Sequence, residues 1–219
     1  MKILALIPAR AGSKKIKHKN RKQLLGLPLI VWTIRTAKKI KELSDIYVST
    51  NDERIIKICK NLKVKVPWVR PESLSTDGTS SVEVVLHFLN WYEKKFSKVD
   101  GLLLLQPTSP FRKKSSIEKA IKLFKKYPNK SVVSFSPLNK KESDFLFNIN
   151  KKNNRVVKTL NIVNQVKLNG SIFLVSPDNI RKYKSFFKPS VLPLVQNNIE
   201  ESIDLDMPDD WKFAEILKR

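Results

Sequence analysis

The chain has 219 residues, with 43 Lys and Arg against 20 Asp and Glu, and its formal charge of +23 raises the question of a polyanionic partner. Its length suits one domain, 1–219, and its longest apolar runs, Ile3–Ile7 and Leu102–Leu105, are too short to cross a bilayer or to form a signal peptide. A single cysteine, Cys59, excludes an internal disulfide framework, so a soluble cytoplasmic protein is expected.

Lys2–Pro8 is a continuous apolar run, as in a strand buried on both faces of a parallel sheet. Pro28–Ile40 reads as a helix with Ile30, Ile34 and Ala37 on one side, and Ile46–Ser49 as the next strand. Thr50-x-x-Glu53 has the pattern of a capping box for a helix reaching about Leu62. Ile55, Ile58 and Leu62 give Cys59 core spacing there, which predicts a buried structural thiol. Val64–Val69 is a third strand candidate, interrupted by Pro67. Ser80-x-x-Glu83 opens a helix carrying Val82, Val85, Leu86 and Leu89, and Leu102–Gln106 is the clearest buried strand. Ser115-x-x-Glu118 opens a helix with Ile117, Ala120, Ile121 and Phe124 inward. Ser131–Phe135 and Ser171–Ser176 are later strands, and Trp211, Ala214 and Leu217 line a closing helix.

This alternation predicts an α/β fold with a single open, mostly parallel sheet flanked by helices. Between 137 and 167 the pattern decays into Asn, Lys and weak alternation, which predicts a small protruding β element or an arm meeting a second subunit. Lysine pairs such as Lys38-Lys39, Lys94-Lys95 and Lys125-Lys126 fall on polar helix faces or at helix C-termini, where cations suit the dipole. Most of the excess charge therefore reads as solvated surface, and a basic nucleic-acid-binding module stays as the alternative of a different class. His18 and His87 have no metal-like partners and read as surface or packing residues.

In an open α/β sheet, ligands bind beyond the carboxyl ends of the strands. There stands "IPARAGSKKIKHKN", residues 7–20, neither a P-loop nor a dinucleotide fingerprint. Gly12, Ser13, Lys14 and Lys15 can form a backbone nest with lysine charges beside it, suited to phosphates; otherwise this is a flexible basic loop. "RPESLSTDGTSS", residues 70–81, offers Arg70 and several hydroxyls to a base edge, or serves only to cap a helix through Ser80. "LLLLQPTSPFR", residues 102–112, displays Gln106, Thr108 and Ser109 on a proline-braced turn, a small-molecule contact or an ordinary strand-to-helix connection. In "SIDLDMPDDW", residues 202–211, Asp204 and Asp206 are two apart and share a face if the segment is extended. Their mutual repulsion favours a cation, and Mg²⁺ is commonly held by one or two carboxylates plus substrate phosphates. Helix capping is the competing use, for which Asp209 and Asp210 after Pro208 are better placed than Asp204.

Six blocks, "IPARAGSKKIKHKN", "VSTNDERI", "RPESLSTDGTSS", "LLLLQPTSP", "LNGSIFLV" and "SIDLD", resemble in order those of the acylneuraminate cytidylyltransferases, the CMP-sialic acid synthetases. The similarity runs from about Met1 to the C-terminus and is weakest between 137 and 167. "VVLHFLNW" and "KLNG" are most similar to bacterial members acting on legionaminic-type sugars. The resemblance implies a nucleotide-diphospho-sugar transferase-like fold and a homodimer joined through 137–167. It also implies transfer of CMP from CTP to the anomeric hydroxyl of an acidic nine-carbon 2-keto-3-deoxy sugar, a nonulosonate, with release of pyrophosphate.

Carried over by position, the resemblance assigns the nucleotide to Arg10, Ala11, Gly12, Ser13, Lys14, Lys19 and Asn20, and cytosine to Arg70 and Ser81. It assigns the sugar to Gln106, Thr108, Ser109, Lys167 and Asn169, and Mg²⁺ to Asp204 and Asp206. Arg10, Lys14, Lys19 and Asp206 form the implied catalytic set, and neither nucleic acid nor membrane is an expected partner. The chain departs from the family pattern at Lys17-His18, at Lys167 where an arginine is usual, and in a shortened Asn161–Gln165. A lysine point charge does not replace a bidentate arginine clamp, so these departures bear on the sugar rather than on CTP. Activation of a 3-deoxy-octulosonate and a non-catalytic paralogue are the nearer alternatives.

Overall fold

The first apolar run becomes strand β1 (Ile3–Pro8), whose Ile3 to Ile7 have no solvent exposure. This computed structural model describes residues 1–138, 147–150, 155–158 and 166–218. After β1 come a short hairpin of β2 (Gln23–Leu24) and β3 (Leu27–Pro28), helix α1 (Leu29–Ala37), β4 (Asp45–Ser49), α2 (Glu53–Asn61) and α3 (Ser81–Lys95). Then follow β5 (Gly101–Leu104), α4 (Lys114–Lys126), β6 (Ser131–Pro137), the antiparallel pair β7 (Phe147–Asn150) and β8 (Arg155–Lys158), and β9 (Val166–Val175). Helix α5 (Pro177–Tyr183), β10 (Val191–Val195) and α6 (Pro208–Leu217) complete the order.

Six strands form one sheet in the order β10-β6-β9-β5-β1-β4. β1 pairs in parallel with β4 and β5, with Leu4 opposite Asp45 and Leu102, and β10 runs parallel to β6. β9 lies between β5 and β6 and is antiparallel to both. The sheet is thus mostly parallel, as its hydrophobic runs require when both faces are covered. Because side chains alternate across a strand, Ile3, Ala5 and Ile7 enter one core with residues of α1, α2 and α4, while Leu4 and Leu6 enter the other with Phe88 and Tyr92 of α3. A third cluster joins Ile16, Leu24, Phe111, Ile203, Leu205 and Trp211, and so pins the opening loop against the segment that precedes α6. Cys59 is fully buried, and burial pushes its thiol up to about 12, in keeping with a structural role.

Several local expectations need correction. Helix α2 is capped by Asp52, whose carboxylate accepts from the N–H of Arg54 (2.9 Å) and Ile55 (3.4 Å); Thr50 is claimed instead by the sheet through a bridge to Val69. Helix α4 starts at Lys114, which places Ser115 inside its first turn rather than at its cap. Val64–Val69 makes only two isolated bridges to the β4 edge, Pro67 having interrupted a regular ladder. Helix α1 is shorter than expected, ending at Ala37, and β5 ends at Leu104. The expected Ser171–Ser176 strand is the end of the longer β9, whereas the hairpin, α5 and β10 had no counterpart among the expected elements. The Ser80 capping box is present as read: Ser80 Oγ accepts from Glu83 N–H at 3.2 Å, and the Glu83 carboxylate accepts from Ser80 N–H at 2.7 Å. Of the 137–167 stretch, 139–146, 151–154 and 159–165 lie outside the described residues, and with them the shortened Asn161–Gln165.

Candidate active site

At the carboxyl ends of β1 and β5, a cleft of about 380 Å³ is lined by residues from all four polar blocks, including Arg10, Lys19, Arg70, Gln106, Asp204 and Asp206. The opening loop is held to the sheet by backbone and side-chain bonds. Ala9 N–H donates to Ser49 O at 2.9 Å, Ala11 N–H to Asn51 Oδ1 at 2.8 Å, and Asn20 Nδ2 to Arg10 O at 3.1 Å. Asn20 is buried, while Gly12 and Lys14 are exposed and Ser13 is half-buried. Ala11 to Lys14 run outside the cleft, but Lys14 returns to the carboxylate that Arg10 also binds. That carboxylate is Asp77, which pairs with Arg10 and, at 2.6 Å, with Lys14. Hydrogen bonds from Lys14 and Arg10 hold its carboxyl below the usual range.

Arg70 is buried, donating from Nε to Ser49 Oγ at 2.9 Å and from Nη2 to the Ser49 carbonyl. Burial and the neighbouring Arg10 lower its pKa to about 10. Ser81, the first residue of α3, accepts from Gln106 Nε2 at 3.4 Å. Gln106, Thr108 and Asp204 meet at the inner end of the cleft. Gly170 is what lets them approach: its φ is +70°, and a Cβ there would lie 2.9 Å from Gln106 Oε1 and 3.7 Å from Asp204 Oδ2.

Ile203 and Leu205 are buried while Asp204 and Asp206 are exposed, so the period-two alternation read from "SIDLD" is present. The segment is not fully extended, since Asp206 N–H turns back to Asp204 O at 3.0 Å. Asp204 opens to the cleft yet is closely ringed by protein, and this desolvation raises its carboxyl above the ordinary range, with Asp206 adding to the effect and a Thr108 hydrogen bond opposing it. Asp206 goes the other way: the hydrogen bond from Lys19 (2.8 Å) holds it low, aided by Lys15 (3.3 Å). Helix capping belongs to Asp210, whose Oδ2 accepts from Asp206 N–H (2.8 Å) and Met207 N–H (2.6 Å). Asp206 therefore spends its carboxylate on the cleft rather than on α6. Two hard carboxylates beside cations that already hold anions can accept a divalent cation together with phosphate oxygens. Among the described residues no group of three or more acidic, His or Cys side chains is placed to hold a metal alone.

A second cavity of about 580 Å³ adjoins the first and is lined by Ser136, Lys167, Asn169, Asn197, Asp210 and Phe213, with Asp204 common to both. Ser109 and Asn169 are turned into the protein behind it. Ser109 Oγ donates to Asn169 O at 3.4 Å. The Asn169 carboxamide accepts from Ser134 Oγ (2.6 Å) and donates to Ser136 Oγ (3.0 Å) and Gln196 Oε1 (2.7 Å).

Comparison with known proteins bears directly on this arrangement. The sequence profile described as "Cytidylyltransferase" matches residues 4–202. The chain belongs to the cytidylyltransferase family. It is similar to CMP-N,N'-diacetyllegionaminic acid synthase of Legionella pneumophila, at 40% identity over 225 residues, covering 99% of this chain and 96% of the relative. It is 32% identical over 230 residues to N-acylneuraminate cytidylyltransferase of Escherichia coli, covering 100% of this chain but only 52% of that longer relative. Among solved structures, CMP:2-keto-3-deoxy-manno-octonic acid synthetase complexed with CTP superposes with a TM-score of 0.75 at 15% identity, covering 100% of this chain and 98% of the other, a likeness of fold. No helix among the described residues of this cytidylyltransferase is long and apolar enough to cross a membrane.

Sequence reasoning passed over three residues of the cytidylyltransferase's site. Asp77 lies inside a quoted block but was hidden among hydroxyls. Asn51, which holds the Ala11 N–H, stands in the block "VSTNDERI" and was given no role of its own. Arg112 ends the third block, where sequence reasoning gave it no role; arginine is seldom buried, so nothing local marks it as an interior residue. An acid facing a basic loop across the sheet's carboxyl edge was the available signal for Asp77.

Proposed function

We propose that this cytidylyltransferase moves CMP from CTP to an acidic nine-carbon 2-keto-3-deoxy sugar of the legionaminate or N-acetylneuraminate type, releasing pyrophosphate. The observation that carries the reading is the pair of cavities meeting at Asp204, one rimmed by Arg10, Lys19 and Arg70 and the other by Lys167. The similarity to the Legionella synthase over nearly both whole chains supports the choice of sugar class. In the reaction the anomeric oxygen bonds to the α-phosphorus as the bond to the pyrophosphate oxygen breaks, and the hydroxyl proton is released to solvent.

Arg10, Lys14, Lys15 and Lys19 exchange Asp77 and Asp206 for phosphate oxygens and neutralise the triphosphate, which is the main task in phosphoryl-type transfer. Arg70 and Ser81 face the base, Gln106 stands at the junction, and Lys167 attracts the sugar carboxylate. Asp204 and Asp206 fit Mg²⁺, which when bound supplies further charge neutralisation on the phosphates. The reading includes a cytoplasmic location, where CTP is available. Pyrophosphate release with each nucleoside triphosphate, tested against nonulosonates and a 3-deoxy-octulosonate, tests the proposal.

Four variants of the cleft test binding. Arg10→Ala should weaken CTP binding by about 1.5–3 kcal/mol, the worth of a charged hydrogen bond, and Lys14→Ala in the same direction. Asp77→Asn should tighten CTP, since the phosphates no longer displace a carboxylate. Calorimetric titration checks all three, and unchanged affinity in Arg10→Ala and Lys14→Ala would reduce the loop to surface. For Arg70→Ala, discrimination of CTP from UTP should fall further than overall triphosphate affinity, because an edge read by buried polar groups penalises the wrong base. Equal losses for the two nucleotides would remove Arg70 from base reading. Some loss of thermal stability accompanies this variant, since Ser49 loses its buried partner.

The reading includes a homodimer. Leu168, Ile199 and Phe213 are exposed at the second cavity, next to the 137–167 stretch, where a second copy would cover them. Light scattering at micromolar concentration should give a dimer, with a smaller species when 137–167 is shortened. A monomeric wild type would contradict the assembly.

A further inference from the structure

Arg112 is buried, 3% exposed, and all three of its guanidinium nitrogens are used. Nε donates to Ser171 O at 2.7 Å, Nη2 to Gln106 O at 2.8 Å and Nη1 to Thr33 Oγ1 at 3.3 Å. The acceptors are neutral. The acid that acts on it electrostatically, Glu201, commits its Oε1 to Lys113 N–H (2.9 Å) and Gln196 Nε2 (3.0 Å). Burying a cation on neutral acceptors is costly, and apolar packing would fill the same space at less cost. What the guanidinium adds is geometry. It ties the carbonyl of Gln106, just past the end of β5, to the carbonyl of Ser171 on β9 and to Thr33 on α1. Ser171 follows Gly170, the residue whose missing side chain admits Gln106 Oε1. Arg112 thus fixes the backbone on both sides of the Gln106 carboxamide, which lines the first cavity together with Asp204, the residue common to both.

We propose that Arg112 is a positioning residue that acts through Gln106, setting where its carboxamide meets the sugar; this rests on the function proposed above. A planar fork can hold two carbonyls and a hydroxyl in fixed relation, and an ammonium cannot. Arg112→Lys should therefore fold and bind CTP within about twofold of wild type, while kcat/KM for the sugar falls on the order of 10-fold or more, as expected for a small misplacement. The decisive readout is coupling. In a Gln106→Ala background, Arg112→Lys should cost less than about twofold, because its target is gone.

Pyrophosphate release and calorimetric CTP binding on the wild type, both single variants and the double variant make the test. Full sugar kinetics in Arg112→Lys, or losses that multiply with Gln106→Ala, would overturn the proposal and leave Arg112 a packing residue. If Arg112→Lys does not fold, Thr33→Val, which removes one acceptor and keeps the shape, decides by the same coupling. A wild type that releases no pyrophosphate with any sugar would instead defeat the functional reading, and this inference with it.

Discussion

Asp206→Asn is expected to lower pyrophosphate release by on the order of 100-fold or more, with an unfolding temperature close to that of wild type. The two halves of the expectation have separate grounds. Asp206 has a half-exposed side chain; its pair with exposed Lys15 contributes about 0–1 kcal/mol, and Lys19, though 14% exposed, keeps a hydrogen-bond acceptor in the carboxamide oxygen of Asn. The cap of α6 is supplied by Asp210 and stays in place. Asn keeps the shape but removes the anionic ligand, so under the proposed reading the Mg²⁺ requirement rises as turnover falls. Asp209→Asn is the control, since Asp209 lies on the exposed start of α6 with only Lys212 at 3.2 Å. Titrating Mg²⁺ against turnover for both variants gives the answer. Normal turnover of Asp206→Asn at ordinary Mg²⁺ would end the metal-site assignment.

The second large effect is expected from one methyl group. Gly170→Ala places a Cβ 2.9 Å from Gln106 Oε1 on a backbone held at φ +70°. The left-handed conformation costs an L-residue about 1–2 kcal/mol, which sets the expected loss of stability. The clash itself is relieved by swinging the Gln106 carboxamide, the far end of a flexible side chain, away from the junction. Folding therefore survives, whereas kcat/KM for the sugar should fall by on the order of 10–100-fold, more than CTP affinity does. A variant that loses stability but retains its sugar kinetics would show that Gln106 has no part in the reaction.

The parts of the molecule legible in the sequence are those decided locally. The Ser80 box needs only residues three apart, and the buried alternation of Ile203 and Leu205 fixes which way Asp204 and Asp206 face. The core runs of β1 and β5 read as buried because both faces of a parallel sheet are covered. Thr50 misled because a capping pattern and a sheet position compete for the same residue, and the contact with Val69 decides between them. The antiparallel insertion of β9 between β5 and β6 was not legible, since strand direction depends on pairing across the whole chain. Its first half also reads as mixed, because Lys167 lines a cavity and Asn169 is turned into a buried hydrogen-bond network with Ser134, Ser136 and Gln196. Arg112 was invisible for a related reason. Its acceptors, Ser171 O and Thr33 Oγ1, are brought to it only by the folded sheet and α1.

Release of pyrophosphate by the wild-type enzyme, measured with CTP, UTP, ATP and GTP in turn against a panel of acidic sugars, tests the central claim most directly. The account predicts turnover that requires CTP and an N-acetylneuraminate- or legionaminate-type acid, with the other three nucleotides far weaker. Turnover with a 3-deoxy-octulosonate alone would move the sugar assignment. No turnover with any pair, alongside salt-sensitive binding to nucleic acid without preference for CTP, would contradict the account.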